Sequence, residues 1–169
     1  MFTLIVQQTP AWVWGLLAAL TAFGLSQTRD REVSLVRITV LPLVLMALSA
    51  SGVLTAFGHS PVAFGGWGAG IGAALVFARN AVAVRGASWS GQTATLHVPG
   101  SWLPLALLLG LFATKYFVGA SLALNPAQAT DTLFAGLCGL AYGSFAGLFL
   151  ARSMSLRSLA KASNGLRTT

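Results

Sequence analysis

Five apolar stretches, each about as long as a bilayer is thick, divide this 169-residue chain into hydrophobic segments joined by short connections. A spanning helix needs about 20 predominantly apolar residues. The stretches run over about 4–25, 38–58, 65–82, 102–124 and 133–151. Only 8% of the residues are charged, against roughly 25% in a soluble domain, so the solvent for most of this surface is lipid. The pattern predicts an all-α fold: a polytopic transmembrane bundle of five spans forming a single domain over residues 1–169. Pro10 either sits near the start of the first span or opens it, leaving residues 1–9 as an interfacial turn.

The cations orient the bundle. Of the ten Lys and Arg residues, Arg29, Arg31 and Arg37 lie between the first two spans. Arg79 and Arg85 follow the third, and Arg152, Arg157, Lys161 and Arg167 follow the fifth. The connections 59–64 and 125–132 carry neither Lys nor Arg. The positive-inside rule then predicts a bacterial inner-membrane protein with its N-terminus periplasmic and a basic cytoplasmic tail over 152–169, expected to continue the fifth segment as a helix. Trp12, Trp14, Trp67 and Trp102 fall near span ends, where interfacial aromatics belong. The net charge of +7 is a topology and headgroup signal, because each basic cluster abuts an apolar run; nucleic acid is not expected.

One connection has strand character. From Ala83 to Val98, small and β-branched residues flank a Ser90-Gly91 turn signal, which predicts a cytoplasmic β-hairpin between spans three and four. A two-stranded hairpin is marginal alone, so it should lean on the membrane surface or on a second copy; the plainer reading is an ordered loop. Leu41-Pro42-Leu43 and Leu103-Pro104-Leu105 open spans two and four, and Ala78-Arg79 and Ala151-Arg152 close spans three and five. These echoes suggest a duplicated helical hairpin, an arrangement found in transporters.

Small residues mark the helix contacts. Gly66 and Gly70 in the third segment, and Gly139, Gly143 and Gly147 in the fifth, recur at a spacing of four and line one face. Helices in lipid associate through close backbone approach. Such a face packs helices within one chain, or forms a homodimer seam, or walls a solute path.

Lys115 is the chemical outlier. It stands alone in an apolar helix, ~20 Å from Trp102 at about 1.5 Å per residue. A Lys at that depth costs about 2.5–3.5 kcal/mol on insertion scales. Three readings offset this: snorkelling to the outer surface, pairing with Asp131, or facing an internal cavity that attracts an anion. Tyr116, Asp131, Tyr142 and Ser51 complete the candidate pocket. Nearby hydroxyls in a bilayer often bond their own helix carbonyls. Arg79, Arg29 and Arg31 are candidate headgroup or ionic contacts, with Asp30 and Glu32 the acids on that side.

No hydrolase, phosphate-loop, zinc-protease or dithiol motif is present, and three acidic residues in all leave no acid–base pair without oligomerisation. No enzyme activity, catalytic residue, metal site or cofactor is expected. His59 and His97 fall in connections expected on opposite faces.

Gln7-Gln-Thr-Pro-Ala-Trp-Val-Trp14, the Arg-rich turn before Leu41-Pro42, and Val98-Pro-Gly-Ser-Trp-Leu-Pro104 resemble an uncharacterised family of small proteobacterial inner-membrane proteins. More distantly the chain is similar to CcdC-type membrane proteins, which also place a short polar hairpin between helices. The resemblance implies the architecture and no catalytic residues. The leading expectation is a small-solute permease or channel-like protein, a homo-oligomer with a dimer favoured, in which Lys115 lines a polar pocket for a small anionic solute. The competing expectation is a non-catalytic membrane scaffold or accessory subunit that docks through the hairpin.

Overall fold

A computed structural model describes residues 10–77, 88–90 and 95–165. Along the chain, helix α1 spans Ala11–Ser26, strand β1 Arg31–Ser34, helix α2 Leu35–Phe57 and helix α3 Pro61–Phe77. Strands β2 (Ser88–Ser90) and β3 (Thr95–Val98) follow, then helix α4 (Leu103–Leu124), a short 3-10 helix (Pro126–Thr130) and helix α5 (Thr132–Gly165). Residues 1–9, Arg79-Asn80, Arg85, Gly91 of the expected turn and Arg167 lie outside the described residues.

Helices α2, α4 and α5 contain stretches long and apolar enough to cross a membrane; α1 and α3 are apolar but shorter, at 16 and 17 residues. The outward faces are greasy. Val36, Val76, Phe117 and Leu133 are all more than 60% exposed. In water such a surface would drive aggregation; against acyl chains it carries no such penalty.

Local chemistry sets the helix ends. Pro10 precedes the first turn of α1, with its carbonyl accepting from Val13 N at 3.0 Å. The Ser34 hydroxyl caps α2 by accepting from Arg37 N at 3.4 Å. Gly58, at φ 59°, closes α2 in a conformation that disfavours a side chain. Pro42 lies inside α2, where it has no N–H to give the Ile38 carbonyl four residues earlier. Ser153 of α5 supplies the missing donor, its hydroxyl reaching Ile38 O at 2.7 Å.

The closest packing is α3 on α5. A methyl at Gly66 would meet the Gly136 carbonyl, at Gly139 the Ala63 carbonyl, and at Gly143 the Trp67 carbonyl. Gly70 faces Leu140 and Gly143, and Gly147 faces Ile71 and Ala74. Contacts therefore rise together along both helices, so α3 and α5 run parallel with backbones touching. The glycines on the other side of α3, Gly65, Gly68 and Gly72, have open space around them. Helix α2 crosses α5 antiparallel: Ser49 bonds Tyr142, Ile38 bonds Ser153, and Thr39 receives Arg157. Helix α1 meets α4 antiparallel, with Gly24 against Leu105 at one end and Trp12 on the same groove as Gly119 at the other.

The expected hairpin acquires a third strand. β3 pairs with β2 (Trp89 opposite Leu96), and its other edge pairs with β1 (Val33 opposite Leu96), giving the antiparallel order β1-β3-β2. The mixed-charge run around Arg31-Glu32 thus forms an edge strand beside β3. That pairing answers the marginal stability of two strands. Below the sheet, Val33, Leu96 and Val98 bury against Ile38 of α2 and Leu156 and Ala160 of α5. The tail is therefore a continuation of α5, and its first turns, from Arg152 to Ala160, present a buried face to the sheet.

Candidate functional site

Two cavities lie at opposite ends of α4. The first, about 400 Å3, opens between the first half of α1 and the second half of α4. These helices touch at Gly24 and Leu105, and the described residues leave the space between Trp12 and Gly119 unfilled. Its walls are Pro10, Trp12, Val13, Leu16, Phe112, Tyr116, Gly119, Ala120, Ala123 and Leu124, and its one cation among the described residues is Lys115. The Lys115 side chain is exposed. Tyr116 stacks on Phe112 one turn earlier, ring centroids 6.3 Å apart. This is an aromatic and aliphatic groove carrying one positive charge.

The other proposed pocket residues are elsewhere. Asp131 caps α5: its Oδ1 accepts from Leu133 N at 2.8 Å and Phe134 N at 3.0 Å. That role follows from its position at a helix start, where a carboxylate also meets the positive end of the dipole. Tyr142 is fully buried in the main core, its ring against Gly52. Ser51 is exposed and donates to Leu48 O of its own helix at 2.8 Å. The structure thus brings Lys115 and Tyr116 together and places Asp131, Tyr142 and Ser51 outside their groove.

The serine that matters to the core is Ser49. It is 1% exposed; its hydroxyl donates to the Tyr142 carbonyl at 2.9 Å and accepts from Trp67 Nε1 at 3.1 Å. One hydroxyl therefore ties α2, α3 and α5. Trp67, expected at an interface, is here a core donor.

The second cavity, about 150 Å3, lies at the sheet end. Arg31 of β1, Arg37 of α2 and Arg152 of α5 line it, with Gln27 and Ser153. Arg31 donates from Nη2 to Gln27 Oε1 at 2.5 Å. Burial, reinforced by the charge on Arg37, pulls the Arg31 guanidinium below its ordinary value. Arg29 is exposed and lines neither cavity. The acids nearby serve the backbone and the sheet: Asp30 Oδ1 accepts from Gly100 N at 2.7 Å, and Glu32 Oε2 from Thr95 Oγ1 at 3.0 Å. No cluster of His, Cys, Asp and Glu able to hold a metal occurs among the described residues.

Residues 1–166 match the profile of a family of unknown function (DUF6622). The chain belongs to that family. No curated protein and no solved structure shows significant similarity to it. For this DUF6622 chain, function has to be argued from the two cavities. Sequence reasoning singled out Lys115 by its cost in lipid. It missed the groove's other wall, α1, because the α1–α4 contact joins residues about eighty apart. It treated Arg37 and Arg152 as topology signals, because no local pattern pairs residues 115 positions apart.

Proposed function

We propose that this is a five-span inner-membrane protein with its sheet end in the cytoplasm, which takes a small anionic solute at Lys115 in the manner of a permease or channel. The observation that carries the reading is the groove itself: a lone cation set in walls of Trp, Phe, Tyr and aliphatic side chains. Such walls favour a solute with an apolar body and a single anionic group over a fully hydrated ion. The relative helix directions support the threading. An alternating five-span chain requires α3 parallel to α5 and both α1–α4 and α2–α5 antiparallel, as their contacts run. Arg31, Arg37, Arg152 and Arg157 gather at the sheet end, as the positive-inside rule asks of a cytoplasmic face. The proposed homodimer has to use a surface other than Gly139, Gly143 and Gly147, since α3 of the same chain already covers them.

The test uses octanesulfonate, an apolar chain with a permanent charge that cannot cross as a neutral acid. Protein reconstituted in vesicles should bind it and speed its efflux. Lys115→Met should lose at least tenfold in affinity, and Lys115→Arg should keep most of it. Equal binding by wild type and Lys115→Met would remove the reason for the proposal.

The scaffold reading draws on a different observation. β1 and β2 are the outer strands of the sheet, and an outer strand is a template for adding a partner's strand. On that reading Lys115→Met leaves function intact, while shortening the hairpin abolishes it.

A further inference from the structure

We propose that the sheet-end pocket framed by Arg31, Arg37 and Arg152 binds a phosphoryl group, carried by a lipid headgroup or free in solution. This site is independent of the Lys115 groove and sits eleven residues back along α4, ~16 Å by helical rise, at Pro104.

Three guanidinium-bearing side chains from three different elements converge on one cavity, and no carboxylate of the described residues lines it. The two acids of the same connection are held away, Asp30 on the Gly100 amide and Glu32 on the Thr95 hydroxyl. Among the neutral lining groups, the Gln27 side-chain carbonyl is already on Arg31. The Ser26 and Ser153 hydroxyls direct their protons to the main-chain carbonyls of Phe23 and Ile38. The arginines therefore line a space of about 150 Å3, many times the ~15 Å3 one water needs, with no anion from the described residues beside them.

Arg152 makes this gathering of like charges costly. It is nine-tenths buried, and a buried charge without a counter-charge is strongly destabilising. At Arg31, burial first and the charge on Arg37 second disfavour the guanidinium. A group with several anionic oxygens answers all three residues at once, because the planar donor fork of Arg matches phosphoryl oxygens in pairs. In a spanning chain this end of the bundle meets the headgroup layer, where phosphoryl groups are dense. The surrounding Phe23, Leu41 and Phe149 suit the glycerol and first methylenes of a lipid, and they leave a free phosphate equally able to reach the guanidiniums.

The experiment measures thermal unfolding of the full chain in a neutral detergent. It compares inorganic phosphate against sodium chloride at equal ionic strength, and phosphatidylglycerol against phosphatidylcholine. A specific anion should raise Tm by about 3–6 °C at a tenfold excess over Kd. Arg31→Gln and Arg37→Gln should abolish the rise, and Arg29→Gln, outside the pocket, should retain it. Arg31 and Arg37 carry the test because Arg152→Gln risks the fold itself. A rise with phosphatidylglycerol alone assigns a lipid headgroup; a rise with inorganic phosphate assigns an anion that enters from water. If neither agent stabilises wild type more than Arg31→Gln and Arg37→Gln, the site does not exist.

Discussion

The hydroxyl of Ser153 donates to the main-chain carbonyl of Ile38 across 2.7 Å of buried interface. That carbonyl is the one Pro42 leaves without its helical partner. A defect written into α2 is thus answered by a residue 115 positions away on α5, beside the arginine pocket. Ser153→Ala should cost about 1–3 kcal/mol, the range for stranding a buried acceptor. In the Pro42→Ala background, where the backbone amide is restored, the same change should cost much less. Unfolding titrations in detergent across the four proteins measure this coupling.

Ser49 and Ser51 are two residues apart and should behave oppositely. Ser49→Ala removes the donor to Tyr142 O and the acceptor for Trp67 Nε1, and should destabilise by about 0.6–2 kcal/mol, the span measured for polar contacts between helices in lipid. Ser51→Ala loses only a bond to its own helix and should fall within about 0.5 kcal/mol of wild type. The same titration reads both.

The α3–α5 contact depends on absent side chains. Gly143→Ala would press a methyl into the Trp67 backbone and should cost about 1–3 kcal/mol. Gly72→Ala, in open space on the same pair of helices, should be neutral or stabilising by up to about 1 kcal/mol. Thermal inactivation in detergent distinguishes the two.

Much of this was legible before any coordinates. The glycine spacing on the third and fifth segments pointed to close helix contact because it is a local, periodic signal. What stayed hidden was pairing between distant residues. β1 is four residues long and buries only Val33, so its alternation is too short to stand out from a charged turn; its partner β3 is more than sixty residues on. That the fifth segment continues as a basic tail helix was legible and holds; its buried face was not, because Arg152 and Arg157 dominate its composition. Yet Arg152, Leu156 and Ala160 recur every four residues and share the buried face. The Lys115 groove was half visible: its cation could be found by its depth, but its other wall depends on how α1 leans on α4.

The sheet is part of the fold, and Leu96 measures that. It is fully buried between β1, β2 and the start of α2. Leu96→Ala should destabilise by about 2–5 kcal/mol. A loop that merely joins two helices would tolerate the change within about 0.5 kcal/mol, and circular dichroism melts separate these outcomes.

All functional readings rest on which face of the membrane each end of the bundle meets. In a Cys138→Ala background, His97→Cys on the sheet and Thr130→Cys at the opposite end both place a thiol at an exposed position. A membrane-impermeant maleimide added to intact cells should label position 130 and spare position 97 until the cells are opened. Labelling of position 97 in intact cells, with position 130 protected, would contradict the account.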